Sequence, residues 1–525
     1  MNASAALPEQ LNLASRFVDS NVEQGRGDSV ALITPGGPCT YSMLAARVNR
    51  IGNVLLALGV RAQQRVLLAL SDSLDFVAAW YAAQKVGAVT AEVYTFLPAK
   101  DHAYYIDYTG ATVVLVDGET MPRVREALEL TTNQPLVLMA GPAAAQLRNG
   151  ERSLEMLVAT AAAELAPAPT TPDDIAIWKF TTGSTGQPKA CVHPVRSAVV
   201  SHEAYARGVL DISADDVVLP VPKLFFGYAR DLTALYPFGV GGTGIVFPER
   251  TTPQRIFELI AQHRPTILVN VPTMMQAMLD HPDAARQDLS CLRLCTSAGE
   301  ALPEPLHRRW IERFGVPVLD GMGSSEAYHI FISGRRGRVR PGSMGEAVPG
   351  YDVDLVDDDG TTVDDGAVGR IRVRGDSIAR MYWQESEKTA RTFAPRTVLT
   401  GDLAVRDRDG FFWYRGRADD LLKVGGIWVA PTEVEACLAG HPDVSEAAVI
   451  GVEHAGLTLI RAFVVPRAGA HPTPEQLRAH VRTTLSGHKV PHDIDVVAAL
   501  PRTGSGKVDR RALKAGASAT AAPAT

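Results

Sequence analysis

Residues 179–190 read KFTTGSTGQPKA, and this segment is the most informative in the chain. The run that leads into it, IAIWKF (residues 175–180), has the composition of a buried strand. Threonines, glycines, a serine and Lys189 follow. Glycines let backbone N–H groups approach an anion closely, while hydroxyls and an ammonium add further donors. The segment therefore predicts a strand that ends in a loop for nucleotide phosphates.

The spacing of this loop differs from that of a P-loop. The P-loop motif GxxxxGK[ST] places Gly-Lys five residues after its first glycine, whereas Gln187 and Pro188 break that spacing here. For such a loop taken alone, the alternative is a flexible Ser/Thr/Gly turn. The segment is therefore a candidate phosphate loop of another type, and its meaning depends on the rest of the chain.

The flanking sequence has the rhythm of an α/β protein. RVLLALS (residues 65–71), a helical apolar pattern and ATVVLVD (residues 111–117) predict βαβ units around a mostly parallel sheet. TILVNVP (residues 266–272) predicts another buried strand. After Ser343 the alternating segment GRIRVRG (residues 369–375) indicates a β-rich subdomain, and a mixed α+β pattern follows Asp419.

These patterns predict the α/β class, with a large N-terminal domain of α/β subdomains and a small β-rich subdomain, followed by a small mobile α+β C-terminal domain. The predicted boundaries are 1–418 and 419–515, with a disordered tail at 516–525. More than one core is expected for 525 residues, because single hydrophobic cores stop growing near roughly 250–300 residues.

Composition argues against several classes of function. A net charge of −6 offers no basic surface of the kind that nucleic acid binding requires. The five cysteines are scattered without a CxxC pair, which argues against a disulfide framework and a zinc site. The sequence shows neither a signal peptide nor an uncharged apolar window of about 18 residues, so we expect a cytoplasmic protein with no membrane partner.

Further segments occur in the order of one superfamily's motifs. They are TSAGEAL (296–302), DGMGSSE (320–326), TGD (400–402), YRGRADDLLKVGGIWVAPTEVE (414–435) and PRTGSGK (501–507). With TTGSTGQPKA they resemble the motifs of the adenylate-forming superfamily, which includes acyl-CoA synthetases, luciferase and adenylation domains of peptide synthesis. The chain is most similar to the benzoate-CoA ligases, through KLFFGY (223–228), LCTSAGEALP (294–303), HIFIS (329–333) and GEAVPGY (345–351).

The resemblance implies an acid-thiol ligase. Such an enzyme uses ATP to convert a carboxylic acid to an acyl-adenylate and passes the acyl group to coenzyme A, releasing AMP and pyrophosphate. A carboxylate that attacks a phosphate meets a like charge, and each unit pair at 4 Å costs about 4 kcal/mol at an effective dielectric constant of 20. By resemblance, Lys507 is the catalytic cation that offsets this repulsion. Resemblance also implies that ATP or AMP is bound by Thr181, Thr182, Gly183, Ser184, Thr185, Gly186, Lys189, Ala298, Gly299, Glu300, Asp320, Gly321, Met322, Gly323, Ser324, Ser325, Asp402 and Arg417.

Three of these expectations have a chemical reason of their own. Glu326 is the metal candidate, because a carboxylate beside a triphosphate is better explained by Mg²⁺ than by tolerated repulsion; a helix cap is the alternative. Asp402 and Arg417 match ribose-binding positions, which need an acceptor and a fixed donor fork. Met322 stands where many relatives carry an aromatic residue, so stacking on adenine is lost.

The acyl pocket is also assigned by resemblance. Its lining is expected to be Gly227, Tyr228, Ser297, Gly323, His329 and Ile330. Taken alone, His329 is more often a structural histidine and Tyr228 a core aromatic residue. Gly227 stands where benzoate enzymes are expected to have alanine, and we interpret the missing methyl group as room for an acid larger than benzoate.

The thiol half-reaction is expected to depend on the C-terminal domain. By resemblance, Asp419 is the hinge about which this domain turns, and Gly425 and Gly426 belong to the CoA-binding strand. The absence of a Cβ at a glycine permits the close backbone approach that a pantetheine tunnel needs. An ordinary hairpin bend is the alternative for the two glycines.

Expected partners are a small-molecule carboxylic acid, ATP, Mg²⁺ and coenzyme A, and a homodimer is compatible with the sequence. The leading hypothesis is an aryl or bulky acyl-CoA ligase. Its alternatives are a ligase for a larger alicyclic or terpenoid acid of natural-product biosynthesis, a stand-alone adenylation enzyme that loads a carrier protein, and an inactive nucleotide-binding protein. A carrier-loading enzyme would want an aspartate near residues 223–228, and KLFFGY has none. Retention of Lys189, Glu326 and Lys507 argues against the inactive protein.

Overall fold

A computed structural model describes residues 7–141, 147–182, 187–420, 422–424, 427–454, 457–502 and 508–520. The chain divides into two compact units. The large unit comprises Met1–Val353 and Val373–Val398, and the small unit comprises Asp354–Arg372 and Leu399–Thr525.

The strands are β1 (Val30–Thr34), β2 (Gly37–Thr40), β3 (Arg65–Ala69), β4 (Val89–Glu92), β5 (Val113–Val116), β6 (Leu136–Met139), β7 (Glu151–Ser153), β8 (Ile175–Thr182), β9 (Pro188–Pro194), β10 (Val217–Pro220), β11 (Thr243–Ile245), β12 (Ile267–Asn270), β13 (Leu294–Ser297), β14 (Val318–Gly323), β15 (Ile330–Ser333), β16 (Glu346–Ala347), β17 (Asp352–Val356), β18 (Val368–Arg374), β19 (Met381–Tyr382), β20 (Phe393–Ala394), β21 (Thr397–Arg406), β22 (Phe412–Arg417), β23 (Leu422–Val424), β24 (Ile427–Val429), β25 (Val444–His454), β26 (Leu457–Pro466) and β27 (Asp493–Val496). The α-helices are α1 (Ser20–Glu23), α2 (Tyr41–Ala57), α3 (Leu74–Lys85), α4 (Ala99–Thr109), α5 (Met121–Leu128), α6 (Leu154–Thr160), α7 (Val195–Ser201), α8 (Gly227–Ala234), α9 (Pro253–His263), α10 (Pro272–Leu279), α11 (Glu304–Phe314), α12 (Ser386–Thr392), α13 (Pro431–Ala439), α14 (Pro474–Thr484) and α15 (Arg510–Thr520).

Two largely parallel sheets form the large unit. One has the strand order β19-β9-β8-β4-β3-β5-β6-β7, and the other has the order β16-β15-β14-β13-β12-β10-β11-β1-β2. The pairs from β4 to β8 and from β3 to β4 and β5 are parallel, as the predicted βαβ rhythm requires. The predicted strands at 65–71, 111–117, 175–180 and 266–272 correspond to β3, β5, β8 and β12. The predicted α/β class is therefore confirmed.

The second sheet places polar side chains at one edge. Its strands β12, β13 and β14 are parallel and their first four residues are all buried. Each of β12 and β13 ends on a polar residue, Asn270 and Ser297, and the register sets Ser297 opposite both Asn270 and Asp320 of β14. In open α/β sheets, ligands bind at the carboxyl ends of the strands. This edge is therefore the expected position of a ligand-binding site.

Helix starts in the large unit follow from local capping. The Ser73 hydroxyl accepts a hydrogen bond from Phe76 N at the start of α3, and the Thr252 hydroxyl accepts one from Arg255 N at the start of α9. Such caps satisfy N–H groups that have no partner inside the helix. Trp310 is fully buried in the core that α9, α10 and α11 build against the second sheet.

The small unit has the predicted β-rich and α+β parts. Strands β17, β18 and β21 lie side by side and β22 pairs antiparallel with β21. Strands β25 and β26 form a long antiparallel pair that β27 joins in parallel. Helix α14 begins at a capping box in which Thr473 and Gln476 satisfy each other's backbone N–H groups. Buried side chains of α13 and α14 then pack on β25 and β26.

The tail expected at 516–525 begins in regular structure. Helix α15 continues to Thr520, because Leu513 and Ala517 lie four residues apart on one face and are buried with Ile450 and Phe463. The composition of the tail did not indicate this buried face, because two apolar residues are enough to anchor the helix and do not make the segment look apolar. Residues 521–525 are outside the described part of the chain.

Candidate active site

Strands β8 and β9 hold the two ends of the predicted phosphate loop. They pair antiparallel, with Thr181 opposite Lys189 and Thr182 opposite Pro188. Gly183, Ser184, Thr185 and Gly186 lie outside the described residues, as does the side chain of Thr182. The predicted strand before the loop is confirmed, and the hairpin register fixes where the loop leaves and rejoins the sheet.

A cluster of Lys189, Tyr382 and Glu326 lies next to this hairpin, and we call it the phosphate-side cluster. Lys189 Nζ is 3.7 Å from the centroid of the Tyr382 ring, and the Tyr382 hydroxyl donates to Glu326 Oε1 at 2.7 Å. Burial lowers the pKa of Lys189, and the Glu326 carboxylate works against that shift. Strand β19 brings Tyr382 here, because Tyr382 pairs with Cys191 of β9.

Glu326 offers one carboxylate of the kind that would hold a magnesium ion. Its carboxylate is half-buried, with Oε1 already accepting from Tyr382. Within the described part of the chain, no group of three or more His, Cys, Asp or Glu side chains could hold a metal ion. Mg²⁺ usually keeps several waters and binds through one or two carboxylates plus phosphate oxygens. A single half-buried carboxylate therefore suits Mg²⁺ beside a nucleotide.

The edge of the second sheet presents buried polar atoms to a ligand. Asp320 is 6% exposed, and burial raises its pKa to about 8, partly offset by the nearby Ser297 hydroxyl. Among the described residues, neither Asp320 Oδ1 nor Ser297 Oγ has a partner in hydrogen-bonding geometry. Buried polar atoms are normally paired. The two groups lie close to each other, and both retain hydrogen-bonding capacity for a ligand.

The remaining adenine-site candidates divide into two groups. Ala298 is buried, Gly299 has φ +87°, and Met322 on β14 lies half-buried opposite Ile332, so these residues are placed along the same sheet edge. Glu300 bonds to a neighbouring helix, since its Oε2 accepts from Thr273 N at 3.1 Å and Thr273 Oγ1 at 2.6 Å. Its carboxylate thus caps helix α10.

Two residues that are predicted to contact the nucleotide, Ser324 and Ser325, hold a loop in this structure. The Ser324 hydroxyl accepts from Ala327 N at 3.1 Å, and the Ser325 hydroxyl donates to Phe180 O at 3.1 Å. These bonds fix the segment 324–329 between β14 and β15. That segment carries Glu326 at one end and His329 at the other.

Two of the residues predicted to line the acyl pocket, Tyr228 and His329, belong to a packed aromatic cluster. The Tyr228 hydroxyl shares a 2.6 Å hydrogen bond with Thr296 Oγ1, which fixes the phenol against β13. The His329 ring centroid lies 5.0 Å from Tyr236, 5.4 Å from Tyr205 and 5.6 Å from Tyr228. Packed aromatic rings of this kind present faces and edges on which another ring can pack.

His329 contributes one polar atom with no partner to this aromatic cluster, among the described residues. Burial lowers its pKa to about 3, so the imidazole is neutral. Its Nε2 lies 3.3 Å from Tyr228 O, and a carbonyl can only accept, so Nε2 carries the proton. Nδ1 is therefore an acceptor, and it has no partner among the described residues.

Gly227 does not open the pocket in the way that its missing methyl group suggested. A Cβ at Gly227 would lie 2.7 Å from Lys179 Nζ and 2.9 Å from Lys179 Cε. The space is thus filled by a lysine side chain from β8. The expectation that it receives a larger acid is wrong, because the neighbour that fills it lies 48 positions earlier in the sequence.

Sequence reasoning missed Lys179 and its partners altogether. The ammonium is bonded to Asp231 Oδ2 and Tyr328 O, each at 2.6 Å, and burial lowers its pKa to about 8. A signal was present, since one lysine stands within the apolar run IAIWKF and an Arg-Asp pair follows Tyr228 at 230–231. A charge inside a buried strand requires a partner of opposite sign.

The small unit contains the predicted ribose pair. Asp402 and Arg417 are opposite each other in β21 and β22, with Arg417 Nη1 3.5 Å from Asp402 Oδ1. The Tyr414 hydroxyl donates to the same carboxylate oxygen at 3.3 Å. The pair therefore has the acceptor and the donor fork that two vicinal hydroxyls would need.

Several expected residues of the small unit cannot be placed. Lys507, Gly425 and Gly426 lie outside the described residues. Asp419 is within the 3₁₀ turn Ala418–Asp420, and its side chain is likewise outside the description.

Two further observations concern the helices and the cysteines. Over the ranges that the structure covers, none of the helices has the length and apolar content to cross a lipid bilayer. All five cysteines are free, and four of them are buried.

Comparison with known proteins gives consistent results over the whole chain. The model of the AMP-binding enzyme family matches residues 18–383, and that of the AMP-binding enzyme C-terminal domain matches residues 433–507. The chain is 40% identical to a benzoate–CoA ligase of Thauera aromatica, over 97% of this chain and 96% of that enzyme.

Solved structures agree with this assignment. The anthranilate CoA ligase AuaEII in complex with anthranoyl-AMP superposes with a TM-score of 0.94 at 34% identity, covering 100% of both chains. A benzoate CoA ligase of Burkholderia xenovorans LB400 gives a TM-score of 0.89 at 37% identity, covering 96% of this chain and 100% of that one. With its phosphate-loop hairpin, its polar sheet edge and both family domains in order, the chain belongs to the AMP-binding enzyme family.

Proposed function

We propose that the protein is an aryl acid–CoA ligase, which uses ATP to form an acyl-adenylate and transfers the acyl group to coenzyme A with release of AMP and pyrophosphate. The observation that carries the proposal is the aromatic cluster of Tyr228 and His329 beside the buried polar edge of Ser297 and Asp320. The 40% identity to a benzoate–CoA ligase along nearly the whole chain supports the same substrate class.

The first half-reaction joins two anions. The carboxylate oxygen attacks the α-phosphorus of ATP, the bond to the bridging oxygen breaks, and pyrophosphate leaves with the electron pair. Lys189 supplies a cation at the β8–β9 hairpin, and the threonines and glycines of the loop add donors for the β- and γ-phosphates. Lys507 is proposed as the cation at the reacting carboxylate and α-phosphate, where charge builds up.

A magnesium ion is proposed at Glu326, where it would neutralise phosphate charge when bound. The phosphate-side cluster prepares that position, because the Tyr382 hydroxyl holds one carboxylate oxygen and leaves the group half-buried. Adenine is proposed to lie along residues 298–300 and 320–323, and the ribose hydroxyls at Asp402 and Arg417.

Two features of the acyl pocket favour an aromatic acid over a larger alicyclic one. The walls contributed by Tyr228 and His329 suit a flat ring, and Lys179 fills the space behind Gly227 that a bulkier acid would need. Carrier loading of an amino acid is disfavoured, because Asp231 already balances Lys179 and Arg230 and offers no uncompensated charge to an ammonium.

The thiol half-reaction is proposed to use Gly425 and Gly426 near the pantetheine arm, with Asp419 as the hinge between a domain of 1–418 and one of 419–515. In this step the CoA sulfur attacks the carbonyl carbon, its proton is lost to solvent, and AMP leaves. We place the enzyme in the cytoplasm, a reducing compartment in which ATP and CoA are available and free cysteines persist.

A panel assay tests the proposal directly. Purified protein is incubated with ATP, Mg²⁺, CoA and, in separate reactions, benzoate, hydroxybenzoates, aminobenzoates, cyclohexanecarboxylate or acetate. We expect AMP, pyrophosphate and a CoA thioester with aryl acids in preference to the last two. Pyrophosphate release without CoA consumption would indicate carrier loading, and no AMP with any acid would refute adenylate formation.

A further inference from the structure

A buried charge network lies behind the start of helix α8 in the large unit. It contains Lys179 of β8, Arg230 and Asp231 of α8, and Glu92 of β4, each at most 6% exposed. Asp231 Oδ2 accepts from Lys179 Nζ at 2.6 Å, and Asp231 Oδ1 accepts from Arg230 Nε and Nη2 at 3.0 and 2.8 Å. Arg230 also donates to Glu92. Two positive and two negative charges balance, so the set is tolerated in the interior.

Lys179 connects this network to the segment 324–329. Its Nζ donates to the carbonyl oxygen of Tyr328 at 2.6 Å and lies 3.6 Å from the centroid of the Tyr328 ring. The Tyr328 hydroxyl donates to Asp231 Oδ1 at 3.3 Å. Lys179 and its carboxylate partner thus hold Tyr328 by its carbonyl group, its ring face and its hydroxyl.

The backbone conformation of Tyr328 has to be stabilised by its neighbours. Its φ is +78°, a strained region that a bulky side chain keeps only when the surroundings enforce it. Every carbonyl from 325 to 329 accepts a hydrogen bond. Besides Lys179, the donors are His193 Nε2 and Tyr328 N to Ser325, Ala379 N to Glu326, Ser377 Oγ to Ala327 and Ser324 N to His329. Burial lowers the pKa of His193 to about 3. Lys179 is therefore the charged donor in this set.

We propose that Lys179 is a positioning residue for adenylation, whose ammonium fixes the backbone at Tyr328 and thereby sets Glu326 and His329 in their places. The proposal rests on the proposed function, because it concerns the metal candidate on one side of Tyr328 and the acyl-pocket histidine on the other. Only one residue separates Glu326 from Tyr328, and His329 follows directly. A displacement of about 1 Å at reacting groups can lower a rate by about 10²-fold.

A substitution at Gly227 gives a second, independent way to displace the same ammonium. Because a Cβ at this position would stand 2.7 Å from Lys179 Nζ, a methyl group there displaces the end of the lysine side chain. Gly227→Ala keeps every charge of the network and adds one carbon atom. It should therefore reproduce the effect of removing the ammonium without leaving Asp231 short of a cation.

Three variants test the proposal: Lys179→Met, Gly227→Ala, and Lys85→Met as the matched control. Lys85 is also a buried lysine with a carboxylate partner, Asp19 at 2.9 Å, and lies outside the network. In pyrophosphate-release kinetics, we expect the first two variants to lower kcat about 10- to 100-fold with a smaller change in KM for acid and ATP. Lys85→Met should keep kcat. Hydrogen exchange of a peptide covering 324–329 should be faster in the first two variants alone.

The pH profile adds a readout that a purely structural role would not move. Burial lowers the pKa of Lys179 to about 8, and the groups around it are Asp231 and Arg230 on α8, Glu92 on β4, His193 on β9, and Tyr328 and His329. The ammonium loses its proton as pH rises through that value, so kcat of the wild type should fall on the alkaline side. Lys179→Met, which has no proton to lose, should not show this fall.

Wild-type kcat in Lys179→Met, an unchanged alkaline fall in that variant, or unchanged exchange at 324–329 would each overturn the proposal. The exchange measurement needs no substrate. It therefore still judges the hold on Tyr328 if the wild-type protein activates no acid, an outcome that would refute the proposed function instead.

Discussion

Arg230→Met should destabilise the large unit by breaking the buried network at its most connected member. Arg230 bonds Asp231 through two nitrogens, donates to Glu92 and lies with its Cζ 4.8 Å from the centroid of the Trp80 ring. Its loss leaves two buried carboxylates facing one ammonium, Lys179. Removing one partner from a buried ion pair typically costs about 3–5 kcal/mol.

The expected change in melting temperature follows from the size of the unit. At about 2.1 cal/mol/K of unfolding entropy per residue, a unit of this length has roughly 0.8 kcal/mol/K, so the loss corresponds to about 4–6 °C. The assay is thermal unfolding followed by circular dichroism, without ligands. Arg47→Met is the control, because Arg47 also joins two carboxylates, Asp75 and Glu155, but its side chain is 18% exposed. Its loss should cost about 1 kcal/mol.

A combined variant sharpens the reasoning. Replacing Lys179, Arg230, Asp231 and Glu92 together by apolar residues of similar volume should cost less than Arg230→Met alone, because no unpaired charge is left in the interior. If Arg230→Met lowers the melting temperature no more than Arg47→Met does, or if the combined variant is the less stable one, the account of the network as a mutually compensating set is refuted.

Three further outcomes are expected. Lys507→Ala should slow adenylation by about 10²-fold and leave thioesterification of a supplied acyl-adenylate nearly intact, and equal losses in both half-reactions would contradict its role. Tyr382→Phe keeps the ring beneath the Lys189 ammonium but removes the donor to Glu326, so the Mg²⁺ concentration for half-maximal pyrophosphate release should rise about tenfold or more; an unchanged Mg²⁺ dependence would place the metal elsewhere. Burial raises the pKa of Asp320 from 3.8 to about 8, so the unfolded chain releases that proton first and the carboxyl increasingly destabilises the fold as pH rises from about 4 to about 8. Asp320→Asn should thus gain melting temperature relative to the wild type at pH 9 compared with pH 4, and a gain that is equal at both pH values would refute the shift.

The fold and the strand that leads into the predicted phosphate loop were predictable, because they rest on local patterns. A strand followed by a threonine- and glycine-rich turn predicts β8 and its loop, and the register of Thr181 with Lys189 agrees with that prediction. The order of the motifs predicted the family, and the family models match along the chain. Each of these patterns lies within a short segment of the sequence, so that segment alone is enough to recognise it.

What the sequence could not predict depends on partners that are distant in the chain. The glycine at 227 was interpreted as space for substrate, but its neighbour is Lys179, and no local pattern pairs the two. The cap that the Glu300 carboxylate forms on α10 through Thr273 was also not indicated by the sequence, and its contact with the nucleotide stays a prediction. In both cases the contact joins residues of separate strands and helices, and only their packing reveals it.

The pairing of β19 with β9 also has a consequence for biosynthesis. Tyr382 reaches the phosphate-side cluster from a segment almost two hundred positions after Cys191, its partner in the sheet. A nascent chain that has emerged from the ribosome only as far as α11 presents β9 as an open sheet edge, and such edges are prone to pairing with other chains. The β8–β9 hairpin is synthesised early, but the strand that covers its edge, β19, is synthesised late. Truncations before residue 381 should therefore aggregate rather than yield a smaller nucleotide-binding protein.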